Sequence, residues 1–376
     1  MRKNLFVRSI AAVSGIVMLA SLAACGDNIS SAGNNSGSTS TEKITGSFSG
    51  AGATSQQAAE EAWISAYMAA NSGANVTYNP TGSGAGVTTF LSGATAWAGS
   101  DKALSDDEVT QSSDKACANG TTAFDVPVYI SPIAIIFNLK GVSDAGKHIN
   151  LDADTAAKIF DGKIVKWNDP AIANQNKDLA LPDTQITVVH RSDKSGTTQN
   201  FVSYFKDQAP DSWTHELSEN WPDIPGQQSA KGTSGVVTAV KQADGTIGYA
   251  DFSQVGDLGT VAVKVGDKYN EISAEAGSKV IGDSKQDDTV KGDNRIVIKI
   301  NHATEAEGAY PIVLVSYDIV CPAYKDTKQA EFAKAWLTYV TSDEGQKAAQ
   351  DAAGTAPLPS SLKSEITKSI EAIKTK

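Results

Sequence analysis

The stretch Ile186-Thr187-Val188-Val189-His190-Arg191-Ser192-Asp193-Lys194-Ser195-Gly196-Thr197-Thr198 sits near the middle of this 376-residue chain. Its first four residues are β-branched, the composition of a buried strand. Its last four set hydroxyls around a glycine and lead into Phe201, Val202 and Phe205, an apolar face at helical spacing. A strand therefore ends at a guanidinium, and a helix starts one short turn later. The first amides of a helix have no partner within it, and its dipole favours negative charge there. Arginine adds a planar fork of donors suited to oxyanions. The stretch reads as half of an oxyanion site or, more blandly, as a surface Arg191–Asp193 pair beside a Ser-capped helix.

Outward from this point, short strands alternate with helices, the pattern of an α/β fold. Strands are expected at Ser47–Gly52, Asn75–Tyr78, Ala96–Ser100 and Thr246–Tyr249. Helices are expected where Ala59, Ala62, Trp63, Ala66, Tyr67 and Ala70 share a face, near Val87–Leu91, over Thr155–Phe160, over Gly232–Lys241, and around Phe332, Trp336, Tyr339 and Val340. Phe124–Phe137 is almost continuously apolar but holds Pro127 and Pro132, so it reads as an edge or a bend, not a straight central strand. Tyr310–Val320 is a second apolar, β-branched run. Two such crossings predict two lobes joined by two strands, with a cleft between them. Gly266–Asn294 is polar and turn-rich, a surface hairpin or excursion, and the C-terminal tail, with its alternating charge, reads as an exposed helix.

Arg2, Lys3 and Arg8 precede a mostly apolar run from Ile10 to Ala20 and then Leu22-Ala23-Ala24-Cys25. This reads as a signal peptide over residues 1–24, its apolar part too short to span a bilayer. The small residues before Cys25 resemble a bacterial lipobox, which implies cleavage there and lipid on the Cys25 sulfur; the plainer alternative is secretion with a coincidental cysteine. Residues 25–44 are rich in Ser, Asn and Gly, a tether that cannot bury a core. Loss of the leader removes three positive charges and no negative ones, taking the formal charge from −11 to −14. So acidic a surface argues against nucleic acid or anionic lipid as partner, but not against a small anion held by local donors. Cys117 and Cys321 either pair in an oxidising compartment or stay as buried thiols. The four histidines show no metal-ligand spacing.

Three more segments place small or hydroxyl residues at a strand-to-helix turn: Gly50-Ala51-Gly52-Ala53-Thr54-Ser55, Gly82-Ser83-Gly84-Ala85-Gly86 and Gly99-Ser100-Asp101-Lys102. Each has an ordinary reading. Thr54 with Gln57 could be a capping box, the glycines of the second segment a flexible turn, and Asp101 a turn residue. The second segment lacks the Gly-Lys-Ser/Thr ending of a nucleotide P-loop and the spacing of a dinucleotide fingerprint.

Taken together and in order, the four segments resemble the PstS family, the phosphate-binding proteins of bacterial ABC-type importers. Ile159-Phe160-Asp161-Gly162-Lys163-Ile164 with Trp167-Asn168-Asp169-Pro170, Gly245-Thr246-Ile247-Gly248-Tyr249 and Tyr310-Pro311-Ile312 also fit, so the resemblance runs from Gly46 to Pro359. It implies a two-lobed periplasmic-binding-protein fold (type II-like) with a double-stranded hinge and an interlobe ligand cleft. The expected division is 45–132 and 311–376 for the first lobe and 133–310 for the second. The ligand set it implies is Ala53, Thr54, Ser55, Ser83, Asp101, Arg191, Ser195, Gly196 and Thr197, with Asp193 orienting Arg191. Ser55 stands where the family often has phenylalanine, a change that keeps the backbone N–H.

The resemblance implies capture of inorganic phosphate outside the cytoplasm and its delivery to the transmembrane permease of an importer, with no cofactor, no metal and no turnover. Within such a site Asp101 would discriminate. Phosphate at neutral pH carries a proton it can donate to a carboxylate, whereas sulfate carries none and would face an unpaired acceptor. The rival readings are a binder of another tetrahedral oxyanion, a phosphoester hydrolase and a surface adhesin with a vestigial site. For the hydrolase, His190, Asp193 and Ser195 lie too close in sequence to favour a nucleophile geometry, and Gly-x-Ser-x-Gly is absent.

Overall fold

The computed structural model describes residues 44–143 and 147–375. The expected leader, Cys25 and nearly all of the tether lie outside these residues. In chain order, the first elements are β1 (Gly46–Gly52), α1 (Gln57–Ala70), β2 (Ala74–Pro80), α2 (Ser83–Leu91), β3 (Trp97–Ser100) and α3 (Asp106–Lys115). There follow β4 (Phe124–Asn138), β5 (Ile149–Leu151), α4 (Ala153–Phe160), α5 (Pro170–Ala173), β6 (Thr187–Arg191), α6 (Gly196–Gln208), β7 (Gln228–Ala230), α7 (Gly232–Gln242) and β8 (Thr246–Asp251). The rest are β9 (Gly259–Val265), β10 (Lys268–Asn270), α8 (Ala274–Gly282), β11 (Lys285–Gln286), β12 (Ile298–Lys299), β13 (Val313–Val320), α9 (Thr327–Val340), α10 (Asp343–Ala353) and α11 (Lys363–Glu371).

The expected α/β alternation is present, and all its described strands but β11 and β12, which pair with each other, join in one eleven-stranded sheet. The order is β2-β1-β3-β13-β4-β8-β6-β7, with β9 also against β4 and carrying β5 and β10. Strand β4 joins the two halves. Residues 124–132 pair antiparallel with β13, and residues 133–138 pair antiparallel with β8. The edge alternative for this run is corrected: it is a central strand, buried from Phe124 to Phe137, though not a straight one. Its prolines stand where a missing N–H does little harm. Pro132 lies where the strand exchanges partners, and Pro127 faces Tyr317 beside a register shift in β13.

Each half is held by its own aromatic cluster. In the first, Trp63 and Tyr67 of α1 meet Phe332 and Trp336 of α9, and Phe48 of β1 stacks on Phe332 with centroids 4.2 Å apart. In the second, Phe201 of α6 stacks on Tyr249 of β8 at 4.4 Å, with Phe160, Phe205 and Trp221 around them. A fully buried side chain of this size contributes roughly 1.5–3 kcal/mol by leaving water. The apolar faces at helical spacing are what seat α1 and α6, and so fix the loops that precede them.

Three departures from the sequence reading have local causes. Helix α3 was not expected; its N-terminus is a capping box in which Ser105 and Glu108 satisfy each other's amides. The polar excursion contains α8, whose Val280 and Ile281 pack with Ile130, Val313 and Val315. The C-terminal tail is not merely exposed, because Ile366, Ile370 and Ile373 are buried at a spacing of four and three residues. Cys117, just after α3, is joined by a disulfide to Cys321, just after β13.

Candidate functional site

The ends of β1, β3, β6 and β2, with the middle of β13, converge where the two halves of the sheet meet. Each of the first three delivers its loop to the start of a helix or turn, so amides and short side chains crowd one small volume. Thr54, Ser55, Ser83, Asp101, Arg191, Ser195 and Thr197 are all buried there, none more than 8% exposed. Glycine permits the approach. A Cβ on Gly196 would lie 2.9 Å from the backbone of Asp101 and Lys102 and from the Ser83 Oγ, and one on Gly82 would lie 2.5 Å from Asp193.

Asp101 is the centre of this volume. Ser55 and Thr197 both donate their hydroxyl protons to its Oδ2, at 2.6 and 2.7 Å, and Ser316 donates to its Oδ1 at 2.8 Å. An ionised carboxylate has about four acceptor positions. Three are filled by protein, which leaves one on Oδ1. Burial pushes the Asp101 carboxyl up from its ordinary range, and the three hydroxyls and the Arg191 charge act against that rise. Asn200 of α6 holds the residue from the opposite half, donating to its backbone carbonyl at 2.6 Å.

Three other hydroxyls are turned the opposite way. Thr233 gives its amide to Thr54 Oγ1 at 3.0 Å, Asp101 gives its amide to Ser83 Oγ at 3.3 Å, and Thr198 gives its amide to Ser195 Oγ at 3.2 Å. In each case a backbone N–H occupies a lone pair and leaves the hydroxyl proton to be donated. Ser195 is the N-cap of α6, and Gly196 and Thr197 are the first residues of that helix, whose opening amides have no acceptor within it. Ala53 brings no free donor, because its N–H goes to the Gly99 carbonyl at 2.9 Å.

Arg191 ends β6 with its side chain 2% exposed, and Asp193 grips it through Nε at 2.7 Å and Nη2 at 2.5 Å. Asp193 also accepts the Gly232 amide at 3.0 Å. Burial works to raise the Asp193 carboxyl, but the Arg191 pair outweighs it and holds the group below the usual carboxylate range. The fork is thus locked along one edge, and the bland reading of a surface ion pair is corrected: the pair is interior. The capping-box reading of Thr54 is also corrected, because α1 has Gln56 at its N-cap position and no side-chain cap there, while Thr54 Oγ1 lies 2.9 Å from Thr233 Oγ1. The nucleophile set of the hydrolase reading does not assemble: His190 Nδ1 bonds the Arg191 carbonyl and its ring stacks on Trp221.

Several residues of the site escaped the sequence reading. Ser316 lies inside an apolar run where nothing marks it. Gln56 follows Ser55 directly, and Gln254 donates to the Thr54 carbonyl at 2.9 Å. Thr233 could have been found, since Ala230-Lys231-Gly232-Thr233-Ser234 repeats the small-and-hydroxyl turn between a strand and a helix that marked the other segments.

Residues 37–344 match the model of the PBP superfamily domain. Phosphate-binding protein PstS2 of Mycobacterium bovis (strain BCG / Pasteur 1173P2) is 36% identical over 98% of this chain and 99% of its own. The chain belongs to the PstS family. Phosphate-binding protein PstS of Xylella fastidiosa (strain Temecula1 / ATCC 700964) is 34% identical over 85% of this chain and 83% of its own. Among solved structures, a phosphate-binding protein from Stenotrophomonas maltophilia superposes with a TM-score of 0.66 at 19% identity, covering 86% of this chain and 93% of that one. At that identity the likeness is one of fold, and it is the two-lobed periplasmic-binding-protein fold.

Proposed function

We propose that this PstS-family protein captures inorganic phosphate between its two lobes, outside the cytoplasm, and delivers it to the membrane permease of an ABC-type importer. The observation that carries the reading is Asp101: a buried carboxylate with three hydroxyl donors and one acceptor position left, set among donors from both halves of the sheet. The hydroxyls of Thr54, Ser83 and Ser195, the amides of Thr54, Ser55, Gly196 and Thr197, and the free edge of Arg191 are donors to the anion's bare oxygens. The last position on Asp101 accepts the proton of hydrogen phosphate. Asp193 keeps Arg191 aimed, as the locked fork suggests.

Such a site binds through neutral dipoles and one fixed cation, not through a surplus of charge, since Asp193 already balances Arg191. Donors on both sides of the crossing make all their contacts only when the halves are together, so the bound anion favours the closed state. The lobes are proposed as 45–132 with 311–376, and 133–310; the partner exchange in β4 at Pro132 supports the first boundary. A lipid on Cys25 is proposed as the membrane anchor after cleavage of the leader; none of the described helices is long and apolar enough to cross a membrane. We assign no turnover, in keeping with Ser195 capping α6 and His190 bonding a carbonyl.

The test is calorimetric titration of the purified mature protein at pH 8 with phosphate and with sulfate. Tight 1:1 phosphate binding with sulfate weaker by tenfold or more is expected; sulfate binding as tight as phosphate overturns the reading.

A further inference from the structure

We propose that Ser316, aimed by Gln56, is the positioning residue that keeps Asp101 an acceptor and so decides which protonation state of a tetrahedral oxyanion the site takes. The inference rests on the phosphate reading and adds to it a residue remote from the binding loops, 215 positions from Asp101 in sequence.

The argument is one of hydrogen-bond direction. Gln56 lies at the N-cap position of α1 and is fully buried. Its Oε1 lies 3.1 Å from the Tyr78 hydroxyl, whose proton is shared with the Ala53 carbonyl at 3.0 Å, while its Nε2 donates to the Tyr317 carbonyl at 3.1 Å and to Ser316 Oγ at 2.8 Å. The Tyr317 carbonyl, which can only accept, fixes which end of the amide is which. Gln56 therefore brings a proton to Ser316, and the serine's single proton goes on to Asp101 Oδ1. The relay Gln56–Ser316–Asp101 runs one way. A proton on Asp101 has no place on Oδ2, where two hydroxyls already point, and can take only the open position on Oδ1, beside the Ser316 donor.

The charged and titratable groups facing Asp101 do not replace this control. Arg191 on β6 favours its charge, and Asp251 at the end of β8 opposes it. Tyr78 on β2 and Tyr129 on β4 are pushed well above their ordinary range, chiefly by burial, and stay neutral. Lys102, next in the chain, turns to Glu108 at 2.6 Å.

Removal of the Ser316 hydroxyl takes away one of the three donors that favour the carboxylate, so Asp101 keeps a proton to higher pH. A protonated Asp101 is a donor, and a donor at that position suits sulfate. The experiment measures sulfate and phosphate affinity from pH 5 to 8.5 for wild type, Ser316→Ala, Ser316→Thr and Gln56→Leu, with thermal unfolding of each as a check on folding. The pH below which sulfate binds should rise by about one unit in Ser316→Ala, the loss of one hydrogen bond to a charged group. The phosphate-to-sulfate ratio near pH 6 then falls about tenfold. Ser316→Thr keeps the hydroxyl and restores the wild-type profile, and Gln56→Leu shifts it in the same direction as Ser316→Ala. Should Ser316→Ala fail to fold, Gln56→Leu alone decides. An unchanged sulfate profile in a folded Ser316→Ala or Gln56→Leu overturns the inference while leaving phosphate binding intact. A wild type that binds neither anion overturns the phosphate reading itself.

Discussion

Replacement of Asp101 by asparagine should reverse the preference of the site. The new side chain has one acceptor and one donor end and must choose. With Nδ2 in place of Oδ2, it would confront two hydroxyl protons, from Ser55 at 2.6 Å and Thr197 at 2.7 Å. With Nδ2 in place of Oδ1, it confronts only Ser316, at 2.8 Å. The second arrangement conflicts once instead of twice and points an N–H at the anion. Hydrogen phosphate then loses a bond to a charged acceptor, roughly 1.5–3 kcal/mol, a roughly ten- to hundredfold weakening. Sulfate gains a donor where it met a carboxylate, so its affinity rises. Together the ratio of phosphate to sulfate affinity should fall by about a hundredfold or more. Calorimetric titration of Asp101→Asn with both anions at pH 8, beside Asp101→Ala, which offers neither donor nor acceptor, measures this directly. A folded Asp101→Asn that still discriminates like the wild type would refute the account of selectivity.

Other outcomes follow from the packing. Gly196→Ala puts a methyl group 2.9 Å from Asp101, Lys102 and Ser83; overpacking of this kind costs about 1–3 kcal/mol, so phosphate affinity should drop about tenfold or more while the melting temperature of the free protein barely moves. Arg295→Ala strands Asp125, which is wholly buried and bonded to Arg295 Nε at 2.6 Å; loss of about 3–5 kcal/mol in denaturant unfolding is expected at neutral pH, and less in acid, where Asp125 takes up a proton. Asp251 is pushed up to about 7 by burial, with one oxygen that meets no donor. The folded protein therefore binds a proton that the unfolded chain has released between about pH 4 and 7, so this group's contribution is full below about pH 4 and is lost as pH rises to 7, roughly 4 kcal/mol in all. Asp251→Asn should flatten that decline in stability curves taken from pH 5 to 8.

The sequence made the binding loops visible because each is a short string of unusual composition. Thr54, Ser83, Asp101 and Arg191 stand within three residues of a strand end, beside glycines that no apolar face requires. The aromatic periodicity of α1 and α9 was equally plain. What stayed hidden was set by distance along the chain. Ser316 reads as one polar residue in a buried strand, and only the antiparallel pairing of β13 with β3 brings Tyr317 opposite Ser100 and Ser316 near Asp101. Direction was hidden too. Ser55 and Thr197 look like donors to an anion, yet their protons go to Asp101, a fact that depends on atoms a few ångströms apart and not on composition. Pro127 and Pro132 misled because proline usually marks an edge, and here each sits at an irregularity of an interior strand.

The place of β13 between β3 and β4 bears on the order of assembly. Strands β1, β2 and β3 are made first, but the neighbour that completes β3 is translated only after everything from β4 to β12 has emerged. Until then β3 has an open edge, and the half-sheet that carries Thr54 and Asp101 is unfinished. The second half suffers no such delay, since β5 to β9 lie within one continuous stretch of chain. It can therefore reach its native form while the first half is still waiting. Arrival of β13 then fills the gap, brings Ser316 to Asp101, and lets Cys321 meet Cys117 across 204 residues. The last strand to enter is thus also the one that arms the carboxylate, so a chain that has not finished folding has no competent site to offer.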